Sequence, residues 1–306
     1  MSAEGVALLD WARARGANAD GVRVADFDDG AGGFVRGVAA DQDVAAGAIV
    51  AEIPRALALE VTTDRKARCP VPGCDRDFWR EQEWWCKLAV LLLLRTRARD
   101  SAEDVAPYAR SLPSEGTMAT PFHWSDAQLA ELHYPPAVAA VAAQRAAWGA
   151  LYDDFTVRCA SRNAALRGTT PGAFFHAIEC VRSRTFSGPY EGSDWEQRVR
   201  QYLLTGGLAL GYVALGFGPP SQALNGAMSV FLFILFRDLL VKRNPNSVRY
   251  VLCPVLDMFN HSSGIESEVS YEYFRNTFAL RVGTGTKQAD EVFISYGKRS
   301  NDELLQ

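Results

Sequence analysis

Hydrophobic spacing along the chain changes from helical to alternating and back. Residues 4–15 place Val6, Leu9 and Ala12 on one stripe, which predicts a short helix stopped by Gly16. Residues 22–24, 34–39 and 49–53 are short runs rich in β-branched residues and read as strands. Asp28-Asp29-Gly30 and Ala46-Gly47 punctuate them as turns. From residue 80 to about 97 the pattern is apolar almost all round, with Trp84, Trp85, Leu88, Leu91, Leu92 and Leu94, so it predicts one central helix. Ser125-Asp126-Ala127-Gln128 is a capping box opening a short helix, which Pro135-Pro136 ends. A long Ala-rich helix follows over about 137–160. Thr170-Pro171 then opens another, with Phe174, Phe175, Ile178 and Val181 turned inward. Two late apolar runs, 250–256 and 291–296, are short enough to be buried strands.

Between Arg200 and Arg237 the chain has no charged residue. Apolar runs over 202–218 and 223–236 flank Pro219-Pro220. A spanning helix needs about 20 apolar residues. Both runs are shorter, and the first holds Gly206, Gly207, Gly211, Gly216 and Gly218. A packed helical hairpin inserted in the domain is therefore expected, with membrane attachment through 202–236 the alternative. With 306 residues, 48% of them hydrophobic, the chain can bury one large core or two smaller ones. A net charge of −4 gives no overall field to attract nucleic acid or anionic lipid.

The four histidines, His123, His133, His176 and His261, stand singly, so no metal-binding spacing is present. Six dispersed cysteines include one close pair, Cys69 and Cys74, which is weak evidence for zinc. Reduced thiols and the absence of a clear targeting peptide predict an intracellular protein, cytoplasmic or plastid.

Each late strand delivers polar groups at its end. The first runs into Asp257-Met258-Phe259-Asn260-His261-Ser262, the second into Ser295-Tyr296-Gly297. Polar groups at the end of a rigid buried strand are costly unless they bind something or are hydrogen-bonded. Alone, Asn260-His261-Ser262 also reads as an Asx turn or a chance glycosylation sequon. Taken together, the two ends and the following Lys298-Arg299-Ser300-Asn301-Asp302-Glu303-Leu304 resemble the SET-domain methyltransferases. The branch they are most similar to is the Rubisco-methyltransferase-like one. The 32–54 segment, with Phe34-Val35-Arg36-Gly37, and Ser183-Arg184-Thr185-Phe186-Ser187 resemble the same family. Val35 departs from its pattern, standing where a second glycine is usual.

The resemblance implies an α+β SET fold, with short strands from both ends of the chain packed together, a pseudoknot and a large helical insert. It divides the chain into 1–60, an insert over 61–189, the apolar hairpin over 190–249 and a C-terminal core over 250–306. It implies S-adenosyl-L-methionine as methyl donor, held by Phe34, Val35, Arg36, Arg184, Asn260, His261 and Tyr296. Tyr296 is the implied catalytic residue, with Phe186 and Asp257 beside it at the acceptor. In-line transfer needs no metal, only donor and neutral amine held about 3 Å apart. The expected partner is a protein bearing an acceptor lysine. A protein histidine, or a silent SET fold acting as a binding module, are the alternatives. The family runs on into a further aromatic segment and a helical substrate-binding domain. Their absence after Gln306 implies a channel open on one side and slow turnover.

Overall fold

The computed structural model describes residues 3–28, 30, 32–64, 67–98, 104–188, 190, 195–242, 248–272 and 275–296. Helix α1 (Ala3–Arg13) buries Leu8, Leu9, Trp11 and Ala12, while Val6 faces out. Gly16 ends this region at φ 89°, a left-handed conformation that suits glycine.

Strands β1 (Val22–Asp28) and β2 (Phe34–Ala40) form an antiparallel hairpin from Val22↔Ala40 to Asp28↔Phe34. Strand β3 (Ile49–Pro54) pairs with β8 (Thr277–Val282), which also pairs with β7 (Ser267–Glu272). A third sheet has the order β4 (Leu59–Thr62), β6 (Arg249–Leu252), β5 (Phe186–Gly188). Chain segments more than 180 residues apart in sequence thus share sheets, as expected for an α+β fold assembled from both ends.

The helix predicted over 80–97 is two helices, α2 (Arg76–Glu81) and α3 (Trp84–Arg97). Asp75 caps α2 by accepting from the backbone of Asp77 and Phe78, and the break falls at Gln82 and Glu83. Trp84 stacks on Tyr250 at 4.2 Å between ring centres, tying α3 to β6. After α4 (Ala106–Ser111), the Ser125 capping box opens α5 (Asp126–Ala130) as the sequence predicts. Pro135-Pro136 does not end α5, which stops at Ala130, but opens α6 (Pro135–Arg158). Helix α7 (Pro171–Arg184) is capped by Thr170, buries Phe174, Ile178 and Val181, and packs on α3.

The apolar stretch forms a helical hairpin, α8 (Trp195–Ala214) and α9 (Pro220–Lys242). Its helices pair with each other, but much of their apolar surface is exposed. Among the described residues no helix is long and apolar enough to cross a membrane.

The late apolar runs differ from the two short buried strands expected. The first makes only the four-residue β6, then a 3₁₀ turn over Leu256–Met258. The second makes bridges, with Glu291 antiparallel to Ala39 and Ile294 parallel to His261. On one side Val292 N–H donates to the Val38 carbonyl at 2.8 Å and Ala40 N–H to Asp290 at 3.0 Å. On the other, Ile294 N–H donates to Asn260 at 2.8 Å and Ser262 N–H to Ile294 at 3.1 Å. The segment therefore runs between β2 and the Asn260–Ser262 turn, bonded to both.

Candidate active site

Asn260 is the junction of three chain segments. Its amide nitrogen donates to the Arg36 carbonyl at 2.9 Å and to Glu291 Oε1 at 2.8 Å. Gly37, next to that carbonyl, leaves no room for a side chain: a Cβ there would stand 2.2 Å from Glu291 Oε1 and 2.8 Å from Asn260 Nδ2. Glycine here serves close approach, not an unusual φ. Both amide hydrogens of Asn260 are thus committed inside the protein, and Oδ1 is the end left to accept from a ligand. Burial raises the pKa of Glu291, against the opposing Asn260 bond.

His261 and Tyr296 form a second unit. Their rings stack at 5.1 Å, and the Tyr296 backbone N–H donates to His261 Nδ1 at 3.1 Å. The Ile294 carbonyl also lies 3.2 Å from Nδ1. One nitrogen cannot both accept and donate, and a backbone N–H can only donate. We therefore assign Nδ1 as acceptor with the proton on Nε2. The Tyr296 hydroxyl donates to the Phe259 carbonyl at 3.0 Å. Its pKa is raised, mainly by burial, with Asp257 and Glu291 adding to the rise and Arg184 opposing it. The phenol therefore keeps its proton at neutral pH.

Asp257 and Arg184 make the third unit. The Asp257 side chain is completely buried; Oδ2 accepts from the Tyr108 hydroxyl at 2.8 Å and lies 3.9 Å from Arg184 Nη1. Nη1 also donates to the Asp257 carbonyl at 2.9 Å. Burial pushes the Asp257 carboxyl up to about 6, although Arg184 and Tyr108 pull it down. Its Oδ1 is buried with no partner. Two residues earlier, Val255 is fully buried at φ 72° and ψ −50°. A β-branched residue in that region costs on the order of 1–3 kcal/mol and persists only where its surroundings enforce it. The strain lies where the chain turns to present Asp257 through His261.

The other sequence-predicted residues are placed as follows. Phe34 and Val35 lie on β2 with exposed side chains, 79% and 43% accessible. Arg36 gives Asn260 its carbonyl and turns its guanidinium toward Glu4, Asp26 and the Ser111 carbonyl. Phe186 lies on β5, half-buried, edge-on to Tyr190 and Phe278. The structure thus brings Arg36, Asn260, His261 and Tyr296 together, and separately Arg184 with Asp257. The continuous 257–261 segment joins the groups, and the Arg184 and Asp257 charges act on Tyr296. Gly297 and the motif after it lie outside the described residues.

Glu291, Gly37 and Tyr108 were not singled out by the sequence as site residues. Glu291 opens the apolar run that ends in Tyr296, and a lone acid heading a buried run is a usable signal. Tyr108 sits in an unremarkable six-residue helix and gives none. Cys69 and Cys74 are free thiols at the wall of a cavity of about 800 Å³ between Ala67 and Arg80, whose lining includes none of these site residues. Among the described residues no group of side chains could hold a metal ion.

No protein-family model matches the chain, and no curated protein matches it. Solved structures do. The chain is similar to the SET domain of LSMT bound to lysine and AdoHcy, with TM-score 0.63 and 18% identity over 99% of this chain and 56% of that one. The fold is that of a SET domain. Rubisco LSMT bound to AdoMet matches at TM-score 0.63 and 18% identity, over 100% of this chain and 55% of that one. Rubisco LSMT bound to sinefungin and monomethyllysine matches at 0.62, also with 18% identity. The chain spans a little over half the length of these SET-domain proteins.

Proposed function

We propose that this chain is an S-adenosyl-L-methionine-dependent protein N-methyltransferase whose acceptor is a lysine side chain. The carrying observation is the joining of β2, the Asn260-His261 turn and Tyr296 by the bonds of Asn260 and His261. Solved proteins of the same fold hold AdoMet, AdoHcy, lysine and monomethyllysine, which supports the class of both ligands.

The residues present fit such a donor. Arg184 is 19% exposed, and only its Nη1 has acceptors among the described residues, so Nε and Nη2 remain for a ligand carboxylate. Asp257 holds that guanidinium through its carbonyl and carboxylate, and Tyr108 holds the carboxylate. Asp257 lacks exposed carboxylate surface, which makes it a positioning residue for Arg184 in this proposal. Asn260 Oδ1 and His261 Nε2–H offer one acceptor and one donor, and Phe34 and Val35 offer apolar surface on β2. When bound, S-adenosylmethionine supplies an electrophilic methyl group on a sulfonium. Tyr296, protonated and tethered to Phe259, orients the acceptor through its oxygen lone pairs and does not act as a base. The amine reaches its neutral form by desolvation against aromatic surface. In this reading Phe186 belongs to the acceptor side, where its aromatic bulk leans toward lysine over histidine.

Incubating the purified chain with a cell lysate and isotopically labelled donor, followed by peptide mass spectrometry, tests the reading. Label on lysine is expected. Label on histidine would overturn the acceptor assignment, and donor binding with no label in any protein would leave a binding module.

A further inference from the structure

The α8–α9 hairpin carries chemistry that the proposed reaction does not use. From 201 to 236 there is no charged side chain. The two helices pair antiparallel, with Tyr202 against Phe231 at 5.6 Å and the Tyr212 hydroxyl donating to Gln222 Oε1 at 3.2 Å. Pairing does not hide the apolar surface: Leu208, Leu215, Phe217, Leu224 and Phe233 are 64–76% accessible.

The direction of that surface decides what covers it. Val230, Phe231, Leu232 and Phe233 are consecutive and all exposed. At 3.6 residues per turn, four consecutive residues circle the helix. A protein partner covers one face of a helix pair. Acyl chains meet it from every side.

The polar groups fit the same environment. Thr205 and Ser229 hydroxyls donate to the carbonyls four residues back, at 2.8 and 2.9 Å. At the tip, the N–H groups of Leu215, Gly216, Phe217, Gln222 and Ala223 donate to nearby carbonyls, and Pro219 and Pro220 have no N–H. Backbone groups satisfied internally are what a hydrocarbon medium demands. Charge returns at the base, where the sequence places Glu196, Arg198 and Arg200 on α8 and Arg237, Asp238 and Lys242 on α9, a basic excess of two. Basic residues there complement anionic headgroups. The uncharged part of α8, 201–214, is about 21 Å long at 1.5 Å per residue. A hydrocarbon leaflet is about 15 Å, half of the ~30 Å core. Among the described residues no helix is long and apolar enough to cross a membrane.

We propose that the α8–α9 hairpin inserts tip-first into one leaflet of a bilayer, with its basic base at the headgroups. The hairpin leaves the domain between β5 and β6, the strands that carry Phe186 and lead to Asp257. Insertion would therefore hold the site beside the membrane surface.

The test is flotation of the full chain with phosphatidylcholine vesicles, with and without phosphatidylserine, beside a Leu208→Glu/Phe233→Glu variant. Both substituted positions are exposed, so circular dichroism should be unchanged. The wild type is expected to float, more strongly with phosphatidylserine, and the variant to partition roughly tenfold or more weakly. A Phe217→Trp variant should be quenched by lipids brominated in their acyl chains. Failure of the wild type to float, or equal flotation of the Glu variant, would overturn the proposal. A dimer in analytical ultracentrifugation that the Glu pair abolishes, without flotation, would assign the surface to a second copy instead.

Discussion

Replacing Gly37 by alanine tests the construction of the site at its tightest point. The new Cβ would meet Glu291 Oε1 at 2.2 Å and Asn260 Nδ2 at 2.8 Å, both too close to remain. Relief requires the carboxylate to move by roughly 1 Å or more, since ordinary van der Waals contact for carbon is about 3.5 Å. The Asn260–Glu291 bond, 2.8 Å long, cannot survive that displacement unchanged. A hydrogen bond to a charged group contributes about 1.5–3 kcal/mol, so Gly37→Ala should destabilise the protein by an amount in that range. Donor affinity should fall as well, because Asn260 loses one of the two bonds that aim its Oδ1. Urea unfolding and calorimetric titration with S-adenosylmethionine read the two effects. Adding Glu291→Ala to Gly37→Ala removes the nearest obstacle, so the pair should be less damaging than the sum of the singles. Full stability and full donor affinity in Gly37→Ala would show that Glu291 swings aside freely, and the junction argument would fail.

Further expectations concern charge and chemistry. Asp257 has a folded pKa of about 6 against an ordinary 3.8, so the native state binds the extra proton. Its contribution to stability is therefore full below about pH 4, is lost as pH rises to about 6, and by pH 7 amounts to a cost of about 3 kcal/mol. Asp257→Asn should flatten the stability-versus-pH curve between pH 4 and 7; parallel curves for the two proteins would contradict the assignment. Arg184→Ala should weaken the donor while leaving its adenosine moiety, measured with free adenosine, unaffected; equal loss for both would place Arg184 elsewhere. Tyr296→Phe should slow single-turnover methyl transfer by roughly 10²-fold, the scale of a 1 Å misplacement, with little change in donor affinity. Unchanged turnover would remove Tyr296 from the chemistry.

Local signals with a single mechanism were legible in the sequence. The Ser125 capping box and the Thr170-Pro171 start formed as read, because a cap depends on neighbours three residues away. The strands read over 22–24, 34–39 and 49–53 from their β-branched runs and glycine turns formed, the first running on to Asp28. The late runs were harder. Residues 291–296 have strand composition, but their partners change midway from β2 to the Asn260 turn, and composition carries no record of partners. The break between α2 and α3 was hidden because Gln82 and Glu83 are good helix formers; Asp75 and the packing around it fix the first helix separately. Asn260, His261 and Tyr296 stood out as polar residues closing apolar runs. Tyr108 did not, since its role depends on meeting Asp257 from 149 residues away. Exposure of the hairpin was equally invisible, because an uncharged stretch reads the same whether protein or lipid covers it.

Calorimetric titration of S-adenosylmethionine into the wild-type chain and Asn260→Ala addresses the central claim most directly. The wild type should bind one donor per chain. Asn260→Ala should bind about 10- to 150-fold more weakly, the equivalent of one lost charge-assisted hydrogen bond of about 1.5–3 kcal/mol. Absence of binding by the wild type, or wild-type affinity in a folded Asn260→Ala protein, would contradict the placement of a methyl-donor site at the Asn260 junction.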